Sequence, residues 1–244
     1  MEPIYSQNFE ITDLHVNCLG RLKTSMILFL AQEVAGHHFA KLSMDYDTML
    51  SRGLFWAITR HKVQVTRLPQ RGETIRVETW PMPTTRVAYP RSVVAYDEAG
   101  NECFRAITLW VLMDLNNRAM VLPGKSGIEV SGTLRGNELA SPLGLPAKVL
   151  QNQHSRTVSF TDLDRNGHMN NTKYMDWIDD LLPSAFHGNH SVKEFTVCYL
   201  NEAREGQQLR LCWDFAEDGT LFMDAHRRNG EKDERIFAAK MIYD

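Results

Sequence analysis

Between Phe160 and Asp180 the chain reads FTDLDRNGHMNNTKYMDWIDD. Asp164, Asn166 and His168 stand at alternate positions, and Asn170 and Asn171 follow closely. Alternate residues of an extended segment share a face, so the spacing predicts a carboxylate, a carboxamide and an imidazole side by side. Gly167, within the run, lets the backbone turn sharply or approach a ligand closely. Imidazole and carboxylate groups accept and release protons, whereas Asn holds a carbonyl or a water without titrating. Together they suit addition of water to an activated carbonyl, as in hydrolysis of an ester or a thioester. Each residue alone is an ordinary turn or cap former. Their conjunction at the start of a helical pattern is what points to chemistry. Asn170 and Asn171 are expected to cap that helix. Its first N–H groups, at the positive end of the helix dipole, are candidate donors to a developing oxyanion.

Other chemistries fit less well. No G-x-S-x-G elbow is present, which argues against a serine hydrolase. Asp162, Asp164 and His168 lack a matching second group of ligands, so neither a metal nor a cofactor is expected. Cys18, Cys103, Cys198 and Cys212 show no C-x-x-C spacing. Free thiols in a reducing cytoplasm are the expectation.

The elements that must position the polar set come from a repeat. ITDLHVNCLGRLKTSM begins at Ile11 and FTDLDRNGHMNNTKYM at Phe160. Overlaid without gaps, Thr12-Asp13-Leu14 falls on Thr161-Asp162-Leu163, Asn17 on Asn166 and Met26 on Met175. Asp164 then falls on His15, and His168 on Leu19. Each copy runs into a helical pattern: Met26, Phe29, Leu30 and Val34 in the first, Tyr174, Trp177, Ile178 and Leu181 in the second. Pro183 marks the end of the latter. Four strand-like runs follow each helix, with hairpin signals at Gly100, Gly219 and Gly230. Each half therefore reads as a strand, a long helix and an antiparallel meander that the helix covers, an α+β arrangement. The expected boundaries are an N-terminal unit over 1–120, a Gly- and Pro-rich linker over 121–150 and a C-terminal unit over 151–244. Only the second copy carries the imidazole, so the chemistry is expected there.

Composition sets outer limits. In 244 residues, 43% are hydrophobic and the net charge is −3. That supports a buried core and gives no bulk attraction to nucleic acid. No apolar run reaches the ~20 residues of a membrane span, and MEPIYSQNFEITDL lacks the pattern of a secretory signal. A cytoplasmic protein with no stable membrane insertion is expected.

LDRNGHMNNTKYMDW closely resembles the signature segment of the acyl-acyl carrier protein thioesterases, the plant plastid enzymes and their bacterial relatives. The family pattern of Asp-x-Asn-x-His, a hydrophobic residue, Asn-Asn, then Tyr and Trp is met by Asp164, Asn166, His168, Met169, Asn170, Asn171, Tyr174 and Trp177. LFWAITRHKVQVTRLPQRGETIRVETW is similar to the family's first half. The resemblance implies a tandem (double) hotdog fold, with the N-terminal hotdog holding the acyl chain and the C-terminal one catalytic. It implies hydrolysis of the thioester between a fatty acyl chain and the phosphopantetheine of acyl carrier protein. It adds a Glu from the following strand region, which falls on Glu202 in VCYLNEAREGQ. Plant members commonly carry Cys directly after that Glu, where this chain has Ala203. Direct attack by water is therefore favoured over a thiol acyl-enzyme, with a carboxylate nucleophile left open. Acidic carrier proteins would be steered by Arg60, His61, Lys62, Arg67, Arg71 and Arg76, which are equally readable as solvated strand faces. An acyl-CoA thioesterase, a hotdog hydratase and a non-catalytic acyl-binding module stay open as alternatives, and a homodimer is compatible with all of them.

Overall fold

The computed structural model describes residues 3–136 and 138–244. The chain divides into two compact units, Met1–Pro142 and Leu143–Asp244.

The first unit begins with β1 (Tyr5–Glu10), α1 (Thr24–Lys41) and a short α2 (Tyr46–Ser51). The meander follows as β2 (Leu54–Val65), β3 (Thr74–Pro81), β4 (Tyr89–Tyr96) and β5 (Glu102–Asp114). β6 (Met120–Val121) and α3 (Pro123–Ser126) close it. The strands pair antiparallel in the order β1-β3-β4-β5-β2. α1 buries Ile27, Leu28, Ala31, Val34, Ala35 and His38, a spacing of three and four residues that makes one apolar stripe. Burial of each large aliphatic side chain contributes about 1.5–3 kcal/mol. Phe39 ends the stripe by stacking on Trp56 with ring centroids 4.9 Å apart. Of the run Met26–Leu30, Ile27, Leu28 and Leu30 are core, while Phe29 is exposed. Part of the segment read as linker packs on this unit: β6 pairs with Leu112–Met113, and Tyr89 bonds Ser126 Oγ at 2.7 Å.

The second unit repeats the plan with β7 (Asn152–Thr157), a 3-10 turn (Phe160–Asp162), α4 (Lys173–Asp179) and α5 (Ser184–Asn189). β8 (Val192–Tyr199), β9 (Gln208–Phe215), β10 (Leu221–Asn229) and β11 (Lys232–Tyr243) form its meander. Their order is β7-β9-β10-β11-β8, all antiparallel. That matches the first unit strand for strand, as expected of a tandem hotdog.

The second helix departs from expectation. It is not long: α4 has 7 residues against 18 in α1. α4 stops at Asp179, and Pro183 disfavours helical backbone at Leu182 just beyond it. α4 offsets its shortness by burying Tyr174, Met175, Trp177 and Ile178. Tyr174 stacks on Phe237 of β11 at 4.5 Å.

Candidate active site

Asp164, Asn166 and His168 do not lie on an extended face. The chain reverses between Leu163 and Met169, which pair as an isolated antiparallel bridge. Gly167 takes φ of +73°, the left-handed region that glycine enters without cost. The reversal is held by Asp164: its Oδ1 accepts the N–H of Asn166 at 2.8 Å and of His168 at 3.2 Å. Its own N–H donates to the His168 carbonyl at 2.8 Å. A main-chain turn closed by an Asx side chain replaces the strand, because local side-chain bonds compete with extended pairing.

The first copy builds the same turn. Val16 pairs with Leu22, Gly20 takes φ of +71°, and Asn17 Oδ1 accepts from Leu19 and Arg21 at 3.0 and 3.3 Å. Asn17 therefore stands in the place of Asp164, Leu19 in that of Asn166 and Arg21 in that of His168. This corrects the ungapped overlay, which set Asp164 on His15 and His168 on Leu19. The next contact agrees: Leu22 donates to the Pro69 carbonyl and Met169 to that of Ala203, both at 2.8 Å, which puts Leu68 in the place of Glu202. The backbone is thus duplicated, and the polar groups at three of these places are not.

Asp164 has a structural duty that an amide performs equally well at Asn17. Asp164→Asn is expected to change the unfolding free energy by less than about 0.5 kcal/mol, and Asp164→Ala to lower it by about 1–2 kcal/mol. Urea unfolding of both variants checks this.

The turn delivers His168 to Glu202, whose loop joins β8 to β9. His168 Nε2 lies 3.0 Å from Glu202 Oε2. The imidazole is 13% exposed and the carboxylate 44%, so the pair has a shielded and a solvent-facing member. Arg204 Nη2 stands 3.8 Å from the same carboxylate oxygen. A carboxylate on one imidazole nitrogen holds the ring and supports a positive charge on it, which suits removal of a proton from water. Asn166 is exposed on the same turn, with Nδ2 at 3.5 Å from Asp164 Oδ2.

Asn170 caps an N–H at the helix start as expected, and Asn171 acts through its main chain. The helix N-cap is Thr172, which makes no side-chain cap bond. Asn170 Oδ1 accepts from both the N–H and the hydroxyl of Thr172 at 2.9 Å, one step before the helix. The Asn171 carbonyl accepts the Tyr199 hydroxyl at 3.0 Å. The N–H groups of Met169, Asn170, Thr172 and Lys173 all donate to protein oxygens. Those four are spent on the fold and are not oxyanion donors.

Most of the basic cluster has partners of its own. Arg67 pairs with Glu73 and Asp97, Arg71 with Asp13, and Arg76 with Glu78. Arg60 donates to the Pro142 carbonyl at 3.4 Å. His61 is buried with Nδ1 at 2.9 Å from Thr108 Oγ1, and burial pulls its pKa down to about 3. It adds no charge near neutrality. The unfolded chain protonates this residue below about 6.5 while the folded chain does not. Its contribution is therefore complete above about pH 6.5 and lost as pH falls towards 3, at up to about 1.4 kcal/mol per unit. His61→Leu is expected to flatten the acid limb of the thermal midpoint between pH 6.5 and 4, as calorimetry would show.

All four cysteines are free, and burial pushes the Cys103 thiol up to about 11. Among the described residues, no group of three or more His, Cys, Asp or Glu is gathered as for a metal, and no helix is long and apolar enough to cross a membrane.

Residues 2–122 match the model of the acyl-ACP thioesterase N-terminal domain, and residues 147–244 that of the C-terminal domain. The chain belongs to the acyl-ACP thioesterase family. Within it, the palmitoyl-acyl carrier protein thioesterase of Gossypium hirsutum, chloroplastic, is 25% identical over 89% of this chain. The chloroplastic dodecanoyl-acyl-carrier-protein hydrolase of Cinnamomum camphora is 29% identical over 82%. The chain spans 56% of the length of each. An acyl-ACP thioesterase structure from Bacteroides thetaiotaomicron superposes with a TM-score of 0.87 at 23% identity, covering 99% of this chain and 98% of that one. That likeness establishes the double hotdog fold.

The sequence reading did not find Arg204 or Arg227. Arg227 sits in a strand run, HRRN, whose charges look like any solvent-facing edge.

Proposed function

We propose that this chain hydrolyses the thioester of fatty acyl-acyl carrier protein and releases the free fatty acid, ending chain elongation. The observation that carries the reading is the 3.0 Å contact of His168 with Glu202, present in the second of two copies whose turns are otherwise built alike. Family membership supports a thioester as the bond attacked, and the curated relatives' names supply acyl carrier protein as the partner.

In this mechanism the His168–Glu202 pair takes one proton from a water as its oxygen attacks the thioester carbon. Asn166 holds the carbonyl or the water, and Asp164 keeps the turn that presents both. The tetrahedral species then expels the phosphopantetheine sulfur, which leaves with the proton held by the pair. Ala203, next to Glu202 in the chain and buried, offers no thiol, which favours water over a cysteine as the attacking group. The N-terminal unit, which has Leu19, Arg21 and Leu68 at the matching places, is assigned the acyl chain. Each methylene buried there would add about 0.8 kcal/mol, so the depth of its binding channel would select chain length. The free cysteines suit a reducing cytoplasm.

The test is a panel of acyl carrier proteins and acyl-CoAs of several chain lengths, with released fatty acid and free thiol measured together. Turnover of acyl carrier protein substrates is expected. Release from CoA alone would overturn the carrier assignment, and no fatty acid from any substrate would overturn hydrolysis.

A further inference from the structure

Glu202 is 44% exposed, so its placement depends on the backbone that carries it more than on packing. That backbone is clamped from the neighbouring strand. Arg227 of β10 donates through Nη1 to the Glu202 main-chain carbonyl at 3.0 Å and to Gln207 Oε1 at 2.7 Å. Gln207 Oε1 also accepts the N–H of Arg204 at 2.9 Å, across the same loop. The other end of the guanidinium pairs with Glu234 of β11, and the Arg227 side chain is 19% exposed. One planar group therefore ties both ends of the Glu202 loop to two strands of the sheet, a task suited to the fixed fork of arginine donors.

The first copy ties the matching loop in a related way, with the arginine on the other side. Glu73 occupies the place of Gln207: Ile11 donates to the Glu73 carbonyl as Val158 does to that of Gln207. Its Oε1 likewise accepts a loop N–H, from Gln70 at 2.7 Å. There the arginine comes from the loop itself, Arg67, and the strand side supplies Asp97. Ala95 pairs with Val77 and Ala225 with Leu211, so Asp97 and Arg227 hold matching places two residues on. In the second copy the guanidinium has moved from loop to strand. The loop position matching Arg67 is Asn201, whose Nδ2 donates to the Arg235 carbonyl at 2.8 Å. The residue just before Glu202 thus carries no cation, while the loop is still held.

We infer that Arg227 is a positioning residue for the reaction, fixing Glu202 against His168 through the main chain of its loop. The inference rests on Glu202 belonging to the base that activates water. A displacement of about 1 Å in such a group costs on the order of 10²-fold in rate.

The test is a double-mutant cycle on acyl-carrier-protein hydrolysis, with kcat and KM measured separately and the thermal midpoint recorded. Arg227→Met is expected to lower kcat by about 10–100-fold with KM changed by less than about 3-fold, and Arg227→Lys to restore part of the loss. In an E202Q background, Arg227→Met is expected to lower kcat no further, which a general loss of structure would not reproduce. Gln207→Leu removes one end of the clamp and keeps the arginine. It is expected to give a smaller loss that also vanishes in the E202Q background, and it carries the test if Arg227→Met does not fold. Wild-type kcat in folded Arg227→Met, or in Gln207→Leu should Arg227→Met fail to fold, overturns the inference. So does an equal further loss in the E202Q background. If E202Q itself is fully active, the reading of the site fails, and the positioning role with it.

Discussion

Glu202→Gln is expected to lower kcat for acyl-carrier-protein hydrolysis by roughly 10²–10⁴-fold, the usual worth of a proton-transfer group. The amide is nearly isosteric and still reaches His168 Nε2, 3.0 Å away in the wild type. It cannot hold a proton or balance an imidazolium. Glu202 is half exposed on a loop tied by Arg227 and by the Met169–Ala203 main-chain bond, so the fold should be untouched. Circular dichroism and the thermal midpoint separate lost chemistry from lost structure. Full activity in folded E202Q removes this carboxylate from the mechanism.

The second large effect is His168→Ala, also roughly 10²–10⁴-fold in kcat. The His168 N–H and carbonyl hold the turn through Asp164, and the main chain keeps both bonds when the ring is removed. The first copy makes the same turn around Arg21, so an imidazole is not needed for it. Because the two groups act as a unit, H168A combined with E202Q should be little slower than the slower single variant. Losses that multiply instead would mean two independent roles.

Much of this architecture is legible in the sequence. Strand-like runs mark the meander strands, Gly turns separate several of them, and the Thr-Asp-Leu match reveals the duplication. The register of the duplication is not legible. An ungapped overlay rewards identity and sets Asn17 on Asn166, whereas the turn needs an Asx oxygen at its first position and accepts Asn17 or Asp164 alike. Alternation of Asp164, Asn166 and His168 likewise reads as a strand until Gly167 turns out left-handed. α4 looks long because Leu181 continues its pattern, but it stops at Asp179. Within the cationic stretch from Arg60 to Arg76, Arg67, Arg71 and Arg76 meet carboxylates, among them Asp13 and Asp97 far along the chain, and His61 is buried. Within the site, Asp164, Asn166 and His168 stand out by type and spacing. Glu202 follows from family resemblance alone, since its loop has no periodicity. Arg227 acts through a main-chain carbonyl and leaves no motif.

The most direct test mixes enzyme in excess with one acyl-acyl carrier protein and follows thiol and fatty acid together on the millisecond scale. Water attack powered by the His168–Glu202 pair predicts that both products appear at one rate in the wild type and slow together in the H168A/E202Q variant. Thiol released ahead of fatty acid, with the acyl group retained on the protein, would contradict direct attack. Undiminished release by the double variant would contradict the site.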